Sequence, residues 1–358
     1  VKLRRFLRTM AFAGAGGAAA TALGLPVGWL LGATVATVAA ALAGLRSRVP
    51  NRLRDAAFFF LGIQAGSGVT PEVLTQVHLW PASFAIQLGG VGLVVALTYV
   101  FLKRGFGWDR DTALFASIPG ALSFVLAAAS ETRADMTRIV IVQSVRLLLL
   151  IGFLTPTLAW LEGGQGAAPF VLEGGTLFQY AILFSVCALA AVAGAASRMP
   201  GGLILGALLA SAALHGTGIA PVALPRWLAI PSLIVLGALI GGRIEPESRG
   251  ALARLAPAAL GAFVIGLIGS AIAGALAVIA LQIEIGKVAL AYAPGALEAL
   301  TVLAYQFDQD PAYVAAHHVV RFLLLALLVP LVARRLPRRL DEAASEAAHD
   351  TESSPRQG

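Results

Sequence analysis

Apolar residues along this chain gather into long runs separated by short polar stretches. In the first half the runs cover 9–24, 27–45, 55–69, 81–102, 111–130 and 139–156. In the second they cover 178–196, 201–215, 227–244, 255–281, 288–304 and 312–333. A helix needs about 20 apolar residues to cross the roughly 30 Å hydrocarbon core of a bilayer, and the long runs approach that length. The pattern predicts an all-α polytopic membrane protein. Residues after Leu340 are polar, rich in Asp and Glu, and lack any apolar period, which predicts a disordered tail.

The two halves repeat one another. Pro119-Gly120-Ala121-Leu122 returns as Pro294-Gly295-Ala296-Leu297, an offset of 175 residues (Pro119 to Pro294). At the same offset Asp135, Gln143 and Arg146 are answered by Asp310, His318 and Arg321, with no gap in between. Leu61, Gly62, Gly66, Pro71 and Glu72 are answered by Leu236, Gly237, Gly241, Pro246 and Glu247. Chance likeness between greasy helices explains shared Leu and Ala but not Gly, Pro and Glu in one register. An internal duplication follows: repeat 1 over 1–160, a connector over 161–177, repeat 2 over 178–336, and a cytoplasmic tail over 337–358.

Composition changes the picture little. Hydrophobic residues make up 58% and charged residues 13% of the chain, against about 25% charged in soluble domains. The net charge of +7 therefore does not point to nucleic acid. The single cysteine, Cys187, excludes an internal disulfide and a cysteine-rich metal site, and reads as a small buried hydrophobe. The basic start precedes a run that reads as the first span rather than as a cleavable signal.

The placement of charge decides the topology. Basic residues of membrane proteins collect in cytoplasmic loops. The N-terminus, loop 46–54, loop 103–110, Arg243, Arg249, Arg254 and the arginines from Arg334 to Arg339 should then be cytoplasmic. Stretches 70–80 and 157–177 hold no Lys or Arg and should be external. If the Pro-Gly runs crossed fully, Arg243, Arg249 and Arg254 would fall outside. If each run dips in and returns, each copy has about five transmembrane helices and the second copy is inverted. Every basic cluster then lies inside, with Arg226 and Lys287 as lone exceptions. The favoured plan is two inverted repeats of about five helices, each with a Pro-Gly-interrupted or re-entrant segment. Such repeats, with broken helices near the midplane, mark secondary transporters.

The candidate chemistry sits on these segments. Pro119-Gly120 and Pro294-Gly295 break a helix and begin a half-helix whose free N–H groups favour an anion; a packing kink is the plain alternative. Ser123 and Glu298 hold matching positions, where each could cap its half-helix, and an intramembrane Glu could also bind a proton or cation. Asp135 and Asp310 read as N-caps of the following helices. Arg146 lies roughly 12 Å, and Arg321 roughly 15 Å, into its helix at about 1.5 Å per residue, near mid-membrane. A central arginine there costs about 2.5–3.5 kcal/mol or more. Permanent partners such as a carboxylate or unwound carbonyls could offset that, or an anionic substrate could. Gln143, His317 and His318 lie on the same helices. Adjacent histidines point about 100° apart on a helix, so His317 and His318 are not expected to share a metal. No zinc spacing, nucleotide loop or nucleophile elbow is present.

At the two motifs, IPGALSFVLAAASETRADMTRIVIVQSVRLLL and APGALEALTVLAYQFDQDPAYVAAHHVVRFLL, the chain resembles the AbrB-duplication family of bacterial membrane proteins. The resemblance covers roughly 10–335. In that family a second glycine often follows the Pro-Gly of repeat 2; here it is Ala296. The family carries two inherited labels, a regulator of gene expression and an ammonia-monooxygenase-like name. Its architecture is similar to the cation–proton antiporter and anion transporter superfamily, which implies transport by fold analogy alone.

Together these features predict a bacterial inner-membrane protein with both termini cytoplasmic. It would carry a small anionic or amphoteric solute, coupled to H⁺ or Na⁺. Arg146, Arg321 and the two Pro-Gly breaks would bind the solute, with Ser123, Gln143, Glu298, His317 and His318 as coupling candidates. Its partners would be the bilayer and the solute, with a possible homodimer and no nucleic acid; no enzyme activity, cofactor or metal is expected. The alternative is a membrane-embedded regulator acting through a partner.

Overall fold

The structure, a computed structural model, describes residues 2–67, 80–120, 122–161, 175–197, 201–246 and 249–333. They form fourteen α-helices and no strand among the described residues. Repeat 1 contains α1 (Lys2–Ala22), α2 (Gly28–Leu42), α3 (Asn51–Gly66), α4 (Trp80–Val100, prolonged by a π turn to Gly105), α5 (Arg110–Ser117), α6 (Leu122–Ser130) and α7 (Met136–Leu161). Repeat 2 contains α8 (Leu177–Ala196), α9 (Gly202–Gly216), α10 (Arg226–Gly241), α11 (Arg249–Leu281), α12 (Ile285–Tyr292), α13 (Leu297–Gln306) and α14 (Pro311–Ala333). The starts of α1, α3, α5, α6 and α7 recur in α8, α10, α12, α13 and α14 at an offset of 175. The tail 337–358 and most of the connector lie outside the described residues.

Five helices are long and apolar enough to cross a membrane: α4 with its π turn, α7, α8, α11 and α14. This is a membrane-type helical protein. Helices α2, α9 and α10 are apolar but only 15 or 16 residues long, about 22–24 Å at 1.5 Å per residue. Helices α2 and α10 are shorter than their apolar runs because Gly or turn residues cut their ends, whereas α9 matches its run in length. Elsewhere helices outrun the apolar pattern. Arg52 and Arg54 lie inside α3, and Arg249 and Arg254 inside α11. Arginine is a good helix former, and its long stem lets the charge leave the apolar zone.

The repeats exchange helices. Helix α3 packs on α9 of the other repeat, and α10 packs on α2. Small residues allow both crossings. A Cβ on Gly66 would lie 2.3 Å from Leu208 O, and one on its counterpart Gly241 would lie 2.5 Å from Thr34 O. Corresponding helices α4 and α11 pack on each other. Gly90 lies against Ala273, Val94 against Gly269 and Phe101 against Gly261, so the two run antiparallel. At one end of the molecule Arg249 donates to Leu42 O (3.1 Å), and Arg48 N donates to Thr9 Oγ1 (3.0 Å). Basic segments of both repeats meet there.

Candidate functional site

Each Pro-Gly segment is a closed hairpin of two short helices, α5–α6 and α12–α13. Helix α5 has 8 residues, about 12 Å, so it cannot cross a bilayer alone. The chain returns to where it started. Asp135 N donates to Thr112 Oγ1 at 2.8 Å, tying the exit of the first hairpin to its entry. In the second, Lys287 Nζ lies 3.4 Å from Asp310 Oδ2 at the equivalent positions, both side chains buried. The two aspartates also cap the helices that follow: Asp135 Oδ1 accepts from Arg138 N (3.1 Å) and Asp310 Oδ1 from Tyr313 N (3.0 Å).

The breaks expose carbonyls that no i+4 amide can reach, and buried carbonyls need partners. Side chains from α7 and α14 supply them. In repeat 1, Gln143 Nε2 donates to Phe115 O (3.3 Å) and Ile118 O (3.2 Å), and Arg146 Nη2 donates to Ile118 O (3.3 Å) and Gln143 Oε1 (2.9 Å). In repeat 2, His318 Nε2 donates to Leu290 O (3.2 Å), while Arg321 donates to Ala293 O and Gly295 O, both at 2.7 Å. The pairs Gln143–Phe115 and His318–Leu290 match at the 175-residue offset, as do Arg146–Ile118 and Arg321–Ala293. The duplication therefore extends to individual hydrogen bonds. Arg146 is 5% exposed and Arg321 4%, and neither forms an ion pair among the described residues.

The two breaks differ in backbone. Gly120 has φ +83, and a Cβ there would come within 3.3 Å of Arg321 Nη2, so glycine is required. The break of repeat 1 thus leans on the arginine of repeat 2. Gly295 is not left-handed; its N–H donates to Ala293 O (2.9 Å), and a Cβ would strike Leu300 and Leu150.

Both arginines open onto one cavity of about 380 Å³. Pro119, Gly120, Gln143, Pro294, Gly295, Glu298 and His318 line it with them, so nine of the sequence candidates converge. Helix α13 begins at this wall with Ala296 as its N-cap and no side-chain cap, which leaves its first amides free. Glu298 accordingly does not cap. Ser123 lies in α6, and its side chain is outside the described residues. His317 turns away, as the 100° step requires. Its Nε2 is 2.8 Å from Ser83 Oγ and its Nδ1 2.8 Å from Tyr313 O, with the Tyr292 and Tyr313 hydroxyls also on Ser83. It is a packed core histidine.

Sequence reasoning missed Arg243 as a site residue. It follows α10 and also lines the cavity. Its counterpart in repeat 1 is Gly68, so the repeat could not single it out; its lack of a twin was the available signal. Gly201, Arg243, Ala296 and Glu298 also line a second space of about 620 Å³, with Arg54 and Asp55 on its wall. The central cavity therefore adjoins a wider space lined by Arg54 of α3 and by Arg243, whose neighbour Gly242 lies against Ser47 of the basic end. Three guanidinium groups against one carboxylate make the lining electropositive. No cluster of His, Cys, Asp and Glu able to hold a metal occurs among the described residues.

A model of the family "Transition state regulatory protein AbrB" matches residues 29–337. The chain belongs to the AbrB family. An Escherichia coli (strain K12) member named "Putative regulator AbrB" is 26% identical over 318 residues, covering 87% of this chain and 91% of that protein. A Bacillus subtilis (strain 168) relative, "Uncharacterized protein YhjN", is 26% identical over 352 residues, covering 90% of each.

Proposed function

We propose that this AbrB-family chain is a secondary transporter of a small anionic or amphoteric solute, driven by an ion gradient. One observation carries the reading: two buried arginines from equivalent places in the repeats converge on one electropositive cavity between two broken helices. Carbonyls at the breaks orient the guanidinium groups but carry only partial charge, so each arginine retains capacity for an anion. The free amides of α13 and its dipole add to that preference.

The repeats are inverted in the bacterial inner membrane, with the basic end cytoplasmic. The antiparallel packing of α4 and α11 supports this, since both are span-length. The closed hairpins support re-entrant segments. The meeting of Arg48 and Arg249 at one end supports a single cytoplasmic face. The cavity would then be reached from the cytoplasm through the Arg54–Asp55 vestibule.

Reconstitution into liposomes tests the proposal. Solute flux or exchange across a panel of mono- and dicarboxylates is expected, and its absence in Arg146→Gln and Arg321→Gln. No flux and no anion-induced rise in melting temperature across the panel would defeat it. The regulator reading draws on the name of the family and of its Escherichia coli relative; a deletion that alters transcripts while uptake and export stay unchanged would favour it.

A further inference from the structure

We propose that His318 is the proton site of this carrier, so that anion and one proton bind and move together as symport. The proposal rests on the transport reading above and names its coupling ion. His318 and Gln143 are equivalents, and both donate to equivalent carbonyls. Because Leu290 O can only accept, His318 Nε2 must carry a hydrogen. The other ends differ. Gln143 Oε1 accepts from Arg146 at 2.9 Å. His318 Nδ1 is buried with no hydrogen-bond partner among the described residues, although the residue is 1% exposed and lines the cavity. Arg321 does not serve it, since its Nη atoms are engaged with Ala293 O and Gly295 O.

In the neutral ring Nδ1 offers a bare lone pair. A proton from solvent would convert it to a donor and make His318 a full cation, with no other bond made or broken. The surrounding charges decide when that can happen. On its own helix lie Arg321 and His317; α7 brings Arg146, the turn after α10 brings Arg243, and α13 brings Glu298. On α12, Tyr292 is neutral and Lys287 is paired with Asp310. Three guanidinium groups thus face one carboxylate. A further cation is opposed by repulsion until an anion enters, and an anion gains a donor and a charge once the proton is present. By reciprocity each promotes the other's binding. His317 cannot share the role, because both its nitrogens are already hydrogen-bonded outside the cavity.

Uptake of a proton on binding means affinity strengthens as pH falls. Over the window set by the free and bound forms of His318, one linked proton changes Kd by up to about tenfold per pH unit. The experiment uses purified full-length protein in lightly buffered detergent, with acetate and succinate as probes. Expected are about one proton taken up per anion bound and a Kd that weakens with rising pH. His318→Gln, which installs the repeat 1 residue, should lose both proton uptake and pH dependence, whereas His317→Gln should keep the uptake. Anion binding by the wild type without proton uptake would overturn the inference while leaving the anion site standing. Uptake retained in His318→Gln would overturn it as well. If neither anion binds to the wild type, the anion-site reading falls and this inference with it.

Discussion

At the scale of single residues, the site reconciles two costs. A helix broken inside an apolar interior strands carbonyls, and a mid-helix arginine strands a charge; placing one against the other answers both. Arg146→Gln and Arg321→Gln should therefore keep a donor for the carbonyls yet lose the anion. The expected result is loss of the melting shift produced by a bound anion, about 2.7 kcal/mol of stabilisation at a hundredfold excess over Kd, read by thermal unfolding with and without the solute. Gly120 offers a sharper test. An alanine there meets both a left-handed backbone, costing about 1–2 kcal/mol, and the Arg321 guanidinium. Gly120→Ala should lower the melting temperature and weaken anion binding together. Gly295→Ala should act through stability, since its obstacles are Leu300 and Leu150.

At the scale of elements, the hairpins are clamped differently in the two repeats. Thr112 gives one hydrogen bond, worth about 1 kcal/mol net. Lys287 and Asp310 form a buried ion pair, and removing one partner of such a pair costs about 3–5 kcal/mol. Lys287→Met should destabilise the protein several times more than Thr112→Val, as measured by thermal unfolding in detergent. Much of this level was legible in advance. The 175-residue offset located both breaks, both aspartate caps and both arginines, because duplicated Gly, Pro and charge are rare enough in greasy sequence to carry register. Which carbonyl each arginine takes was not legible, nor was the Ser83–Tyr292–Tyr313–His317 cluster. Those depend on contacts between segments about 30 to more than 200 residues apart, which no local pattern encodes. Arg243 escaped because it has no twin, and the helix ends at Asn51 and Arg249 escaped because arginine hides a helix start inside an apparent loop.

At the scale of the whole molecule, the inverted plan makes a labelling prediction. With Cys187 buried and replaced by Ser, cysteines introduced at Ser47 and Arg249 should both react with an impermeant reagent from the cytoplasmic face of oriented vesicles. One introduced at Thr176 should react only from the opposite face. Labelling of Ser47→Cys and Arg249→Cys from different sides would contradict the plan, since the segments bearing them are hydrogen-bonded neighbours at one end.

The exchange of α3 and α10 between repeats has a consequence for biogenesis. While the ribosome has delivered only the first half, α3 waits in lipid with the face of Gly62 and Gly66 uncovered, because its seat on α9 does not yet exist, and α2 waits for the glycine face of α10. Neither half should persist alone, and quality-control proteolysis should remove each when expressed singly. Severed within 162–174 and produced as two polypeptides in one cell, they should find each other and accumulate. That behaviour would point to an ancestor of half the length whose two copies paired head to tail before their genes were joined.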